Sequence, residues 1–196
     1  MPRRPTRTVP TVLLHGINGS GPEHWQRWLA AQLEQVGREV RFPDLPDADH
    51  PELAAWSATL NESLTGLPDD GFDVVAHSLG AVLWLHHALA GGDYPRPARV
   101  ALVALPAPDL LPAEATSFAP VPLEIDAVRK AADGTVLVGA DDDPYCPSGV
   151  ARVYGAPLKM AATVITGGGH LNVDSGFGPW PAVLDWCGRD NLAFIA

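Results

Sequence analysis

Short, unbroken apolar runs alternate along this chain with segments whose apolar residues recur every three or four positions. Val12-Leu13-Leu14 is apolar throughout, as a parallel strand buried on both faces requires. Over 23–35, Trp25, Trp28, Leu29 and Leu33 recur at helical spacing, so an amphipathic helix is expected there, ended by Gly37. Val40-Arg41-Phe42 reads as a short second strand stopped by Pro43, and 53–64 as the next helix. Residues 72–76 read as a strand that passes through Ser78 into a helix lasting to Ala90, with Gly91-Gly92 as the stop. Further strands are expected at 100–105, 135–138 and 162–165, and helices at 123–132 and from Trp180 to Trp186. Residues 106–122 hold five prolines and little periodicity, which predicts a loop or small lid beside a strand end. Regular alternation of strand and helix is the βαβ pattern. It predicts an α/β fold: a three-layer sandwich with a predominantly parallel sheet of about six strands.

Length and composition narrow this without changing it. A chain of 196 residues, 46% hydrophobic, suffices for one sizeable core, so one domain over 11–196 is expected behind a flexible tail at 1–10 rich in proline and arginine. A formal net charge of -10 disfavours nonspecific association with nucleic acid or anionic membrane, and neither is expected as a partner. Cys146 and Cys187 are too few for a disulfide framework and lack metal-site spacing. No run approaches the length of a membrane span, and the basic opening passes directly to Pro10-Thr11-Val12. These features lead to the expectation of a cytoplasmic protein.

The stretch Phe72-Asp73-Val74-Val75-Ala76-His77-Ser78-Leu79-Gly80 carries the first chemistry. A serine at a sharp turn between strand and helix exposes its hydroxyl at the strand end, beside the amide donors of the helix N-terminus. The alternative is a serine that only caps the helix. Two later strand ends decide between them. Strand 135–138 leads into Gly139-Ala140-Asp141-Asp142-Asp143-Pro144-Tyr145, and strand 162–165 into Gly167-Gly168-Gly169-His170-Leu171. Serine, aspartate and histidine therefore follow one another in a known triad order, each at the C-terminal end of its own strand. Neutral His170 is the base that can activate the Ser78 hydroxyl, and an aspartate on its far nitrogen would fix the tautomer. Asp143, which precedes Pro144, is the first candidate for that aspartate and Asp142 the second; Asp141 reads as a solvated or turn-stabilising carboxylate. Oxyanion donors are expected at the backbone N–H groups of Leu79 and Ile17, with Gly16 permitting the close approach.

This constellation resembles the α/β-hydrolase superfamily and, within it, the small serine hydrolases that include the retinoblastoma-binding protein 9 type and the YdeN-like proteins. The matching segments are Leu13-Leu14-His15-Gly16, Gly21-Pro22-Glu23-His24-Trp25, Pro43-Asp44-Leu45-Pro46, His77-Ser78-Leu79-Gly80, Asp142-Asp143-Pro144-Tyr145 and Gly169-His170-Leu171-Asn172. Gly176-Phe177-Gly178-Pro179-Trp180-Pro181 completes them. The resemblance implies an α/β-hydrolase fold with Ser78 as nucleophile, Asp143 as acid and His170 as base. Ala76 stands where the superfamily's elbow usually has its first glycine, and 196 residues leave no room for a large cap domain.

The remaining conspicuous residues have plainer readings. His24, Trp25 and Trp180 are candidates for the pocket. His77 is expected to pack or bond locally, and Trp28, Trp56 and Trp84 to lie in the core. His86 and His87 have no acidic partner at metal-ligand spacing, and the glycine runs at 16–21 and 167–169 match neither a dinucleotide nor a Walker loop. Neither metal nor organic cofactor is expected. Two functional classes follow: a serine hydrolase acting on an ester, thioester or activated amide of a small molecule, or a protein-interaction module on a hydrolase scaffold.

Overall fold

In the computed structural model, residues 8–194 are described; the expected tail falls mostly on 1–7, outside the described residues. Regular structure begins at β1 (Thr11–Leu14), one residue after Pro10, whose carbonyl accepts a hydrogen bond from Asp73 N at 2.9 Å. The other strands are β2 (Val40–Arg41), β3 (Asp73–His77), β4 (Arg99–Val103), β5 (Gly134–Ala140) and β6 (Ala162–Ile165). They form one six-stranded sheet in the order β2-β1-β3-β4-β5-β6, with every pairing parallel. This is the predicted α/β architecture. Its all-parallel form follows from the helices between strands, which return the chain to the same edge each time.

Strand register divides the side chains into two layers. Leu14, Ala76, Leu102 and Leu137 are partners across the sheet and face α2 (Leu53–Leu64), α3 (Leu79–Ala90) and α4 (Ile125–Ala131). Leu13, Val75 and Ala101 point the other way, onto α1 (Trp25–Gln35) and α6 (Pro181–Gly188). Successive strand residues alternate faces, so the continuous apolar runs read in the sequence fill both layers at once. Trp56 and Trp84 are fully buried in the first layer, whereas Trp28 is only partly buried against the second.

The helical stretch between β5 and β6 has no counterpart in the sequence reading. A π turn over Ala151–Gly155 runs into α5 (Ala156–Leu158), where Tyr154 and Leu158 are fully buried. Pro147, Gly149, Gly155 and Pro157 interrupt its periodicity. The segment holds because its apolar side chains meet the β5 face, not because of local propensity. Gly139 belongs to the same packing: a Cβ there would fall 2.7 Å from Val150 Cγ1.

Far from the Ser78 end of the sheet, Arg99 and Asp73 form a buried bidentate pair, with Nε–Oδ1 at 3.0 Å and Nη2–Oδ2 at 2.5 Å. Arg99 also donates to the carbonyls of Trp186, Arg189 and Asn191 and lies 4.3 Å above the Trp186 ring. Arg38 adds a second guanidinium 3.9 Å from Asp73. These charges tie the C-terminal end of α6 to the strand starts. Burial is tolerable because the fork geometry meets so many acceptors.

Candidate active site

Ser78 sits between β3 and α3 with φ 54° and ψ -123°, a left-handed backbone that an L side chain adopts only at a cost of about 1–3 kcal/mol. Its surroundings enforce the turn. A Cβ on Gly80 would collide with the carbonyl oxygens of Leu14 and His15, and one on Gly16 would lie 2.8 Å from Ser78 Cβ. Small residues are thus required on both the helix and the facing loop. Ala76 shows that the incoming side does not need glycine, because its side chain points into the α2–α3 layer.

The strand ends bring three predicted side chains into one line. Ser78 Oγ lies 2.9 Å from His170 Nε2, and His170 Nδ1 lies 3.0 Å from both carboxylate oxygens of Asp143. With the carboxylate accepting at Nδ1, the proton belongs there and Nε2 presents its lone pair to the serine hydroxyl. Asp143 is 2% exposed and also accepts from Tyr145 N at 2.9 Å, so its carboxylate is held in place. The neighbouring aspartates do something else. Asp141 Oδ1 accepts from Gly167 N at 2.8 Å and Asp142 Oδ1 from Gly169 N at 2.7 Å, fastening the loop that carries His170.

The opposite wall is the loop after β1. Gln26, fully buried on α1, donates to Leu14 O at 2.9 Å and accepts from Ser20 Oγ at 2.7 Å, pinning both ends of that loop. His15 Nδ1 donates to Gly16 O at 2.8 Å, and its Nε2 accepts from Leu45 N at 3.0 Å. Asn18 N–H goes to Ala48 O and Gly19 N–H to Gly16 O, while Ile17 lines the cavity above Ser78. Leu79, as the first residue of α3, has an N–H with no acceptor inside its own helix. Both expected oxyanion residues therefore border the same space as Ser78.

That space is a cavity of about 630 Å³. Its walls include Ser78, His170, His24 and Tyr145, with Pro106, Pro112 and Glu114 from the predicted proline-rich segment. Trp25 and Trp180 do not line it. Trp25 is fully buried, donates from Nε1 to Leu171 O at 2.8 Å and meets Trp180 edge-on at 5.1 Å, so the pair supports the His170 loop from behind. Tyr145, not singled out from the sequence as a wall residue, packs 4.5 Å from the His170 ring and is 45% exposed. Its position two residues after Asp143 was the available signal.

Five imidazoles gather here, those of His15, His24, His50, His77 and His170, and burial holds three of them neutral. Burial lowers His24 to about 4 and pushes His77 well below the ordinary imidazole value, with the charge of a protonated His170 acting in the same direction. Burial likewise lowers His15. At neutral pH none of them adds positive charge beside His170. Asp49, Glu114 and Asp174 also border the cavity, whose lining contains no lysine or arginine among the described residues. No group of three or more metal-ligating side chains is placed to hold an ion, and no helix is long and apolar enough to cross a membrane, among the described residues.

Comparison with known proteins gives a consistent result. A family model described as serine hydrolase matches residues 11–188. The YdeN protein of Bacillus subtilis (strain 168) is 25% identical over 181 residues, covering 91% of this chain and 94% of its own. The crystal structure of that protein superimposes with a TM-score of 0.77 at 23% identity, covering 91% of this chain and 96% of the other. A YdeN-like protein of Pectobacterium atrosepticum gives a TM-score of 0.66 at 21% identity, covering 91% and 88%. An extracellular α/β-hydrolase from a Paenibacillus species gives 0.60 at 14% identity, covering 93% and 100%. These likenesses identify the fold as the α/β-hydrolase fold.

Proposed function

The chain belongs to the serine hydrolase family, and from that premise we propose that it cleaves a carboxylic ester, thioester or activated amide of a small molecule, in the manner of a carboxylesterase, through an acyl-enzyme. The observation that carries the reading is the unbroken line from Asp143 through His170 to Ser78 Oγ at the floor of an open cavity. A fold kept only for binding has no chemical need to align those three groups.

In this reading His170 Nε2 takes the Ser78 proton as Oγ forms its bond to the substrate carbonyl carbon. Asp143 remains ionised, holds the ring in its tautomer and stabilises the imidazolium. The carbonyl oxygen becomes an oxyanion and receives the Leu79 and Ile17 amides. Collapse of the tetrahedral intermediate breaks the bond to the leaving group, which departs with the proton from Nε2. Water then attacks the acyl carbon, giving its proton to His170. The second collapse releases the acid, and Ser78 Oγ regains the proton. No metal or organic cofactor enters any step. The carboxylates bordering the cavity favour uncharged or cationic substrates and repel the acid product. A panel of p-nitrophenyl esters of increasing acyl length is the direct test: release of p-nitrophenolate by the wild type, and its loss in Ser78→Ala at unchanged melting temperature, support the proposal. No turnover of any ester by folded wild type counts against it.

A further inference from the structure

The base loop is held in an unfavourable shape. Gly167 and Gly169 have φ of 66° and 54°, and Leu171, which is not glycine, has φ 48°. A loop of this kind keeps its shape only when other elements over-determine it. Asp141 and Asp142 fix its glycine amides, Ser175 Oγ accepts from His170 N at 3.1 Å, and Trp25 holds Leu171 O. One contact differs from these in its origin. His77 Nε2 lies 3.0 Å from His170 O, and His77 is the residue immediately before Ser78.

We infer that His77 is a positioning residue for the hydrolytic reaction: its Nε2–H, donated to the main-chain carbonyl of His170, sets the distance between the general base and the nucleophile. The inference rests on the Ser78–His170 reading and adds the device that keeps the pair in register. The carbonyl can only accept, so His77 must carry its proton on Nε2. Its ring has little freedom to do otherwise. It is 5% exposed and packed 5.0 Å from His24, 5.7 Å from Trp25 and 5.2 Å from His170, measured between ring centroids. Its backbone is fixed in the sheet opposite Val103.

The two bonds at the His170 ring do not replace this contact. Asp143 restrains the imidazole from the β5 side, at Nδ1 alone. Among the described residues, the His77 bond is the one that runs from a residue beside the nucleophile to the base. A shift of about 1 Å would open the 2.9 Å contact between Ser78 and His170 beyond hydrogen-bond range, and misplacement on that scale costs up to about a hundredfold in rate. The neutrality that burial enforces on His77, against the upward pull of the His170 carbonyl, agrees with its role as a one-proton donor.

The experiment compares wild type, His77→Phe and His77→Gln. Phenylalanine fills the ring space without a donor, and glutamine carries an amide N–H to the place of Nε2. Steady-state hydrolysis of a p-nitrophenyl ester, the rate of fluorophosphonate labelling and the melting temperature are measured on each. We expect His77→Phe to lower kcat and the labelling rate by about tenfold or more, with KM within about twofold, and His77→Gln to restore most of the loss. Nitrogen-detected NMR of the wild-type imidazoles should find His77 as the Nε2–H tautomer, a readout that stands even if His77→Phe fails to fold. Wild-type rates in His77→Phe, equal losses in the phenylalanine and glutamine variants, or an Nδ1–H tautomer would each overturn the inference. If wild type itself neither turns over ester nor takes the label, the hydrolase reading is what fails.

Discussion

Asp142 Oδ1 accepts the Gly169 amide at 2.7 Å, so the carboxylate next to Asp143 braces the backbone of the His170 loop instead of the imidazole itself. Two adjacent aspartates on one strand end thus have separable tasks. Asp143→Asn removes the anion facing Nδ1 and admits the wrong tautomer, which should lower kcat by on the order of 10³- to 10⁴-fold with the fold intact. Asp142→Asn keeps an oxygen that can still accept from Gly169 and should stay within about threefold of wild type. Ester kinetics on the two variants check this; similar losses in both would contradict the division of labour.

The buried histidines predict a direction for acid stability. His24 and His87 are lowered to about 4 by burial, and His15 and His77 are lowered too. An unfolded histidine binds its proton near 6.5, so between pH 6.5 and 4 the unfolded chain holds more protons than the folded one. Stability should therefore fall as the pH is lowered through that window, by up to about 1.4 kcal/mol per pH unit for each such histidine. Melting temperatures from pH 7.5 to 4 measure it. His87→Gln, away from the cavity, should flatten the slope; a melting temperature constant down to pH 4 would contradict the account.

The Arg99–Asp73 pair predicts a loss of stability without a loss of chemistry. Arg99→Met takes away the bidentate partner of buried Asp73 and the donor to the carbonyls at the end of α6. The expected cost is about 3 kcal/mol, or roughly 10 °C in Tm. Asp73 opens β3 and Ser78 follows its end, so kcat per folded molecule should not change. Thermal denaturation beside ester kinetics separates the two effects.

How much of this was legible in the sequence depended on whether the signal was local. Unbroken apolar runs between helical segments gave the parallel sheet, because burial on both faces is written directly into the residues of each strand. Ser78, His170 and the aspartate run were legible because each follows a strand and the chemistry restricts the residue types. The segment Ala151–Leu158 was not, since glycine and proline break its pattern and tertiary contact alone holds it. Trp25 and Trp180 sit within reach of the site in sequence, but their rings turn into the layer behind the base loop. Neither the Arg99 network nor the His77 link leaves a local trace, because each joins residues more than twenty positions apart.

The central claim is that Ser78 is the nucleophile, and covalent trapping tests it most directly. Intact-mass measurement after treatment with a fluorophosphonate should show one adduct per chain, peptide mapping should place it on Ser78, and Ser78→Ala should remain folded and unlabelled. An adduct on Cys146 or Cys187, or no adduct on folded wild-type protein across a broad acyl and phosphonate panel, would contradict the serine mechanism. The second of these results would point to a protein-interaction module on a hydrolase scaffold.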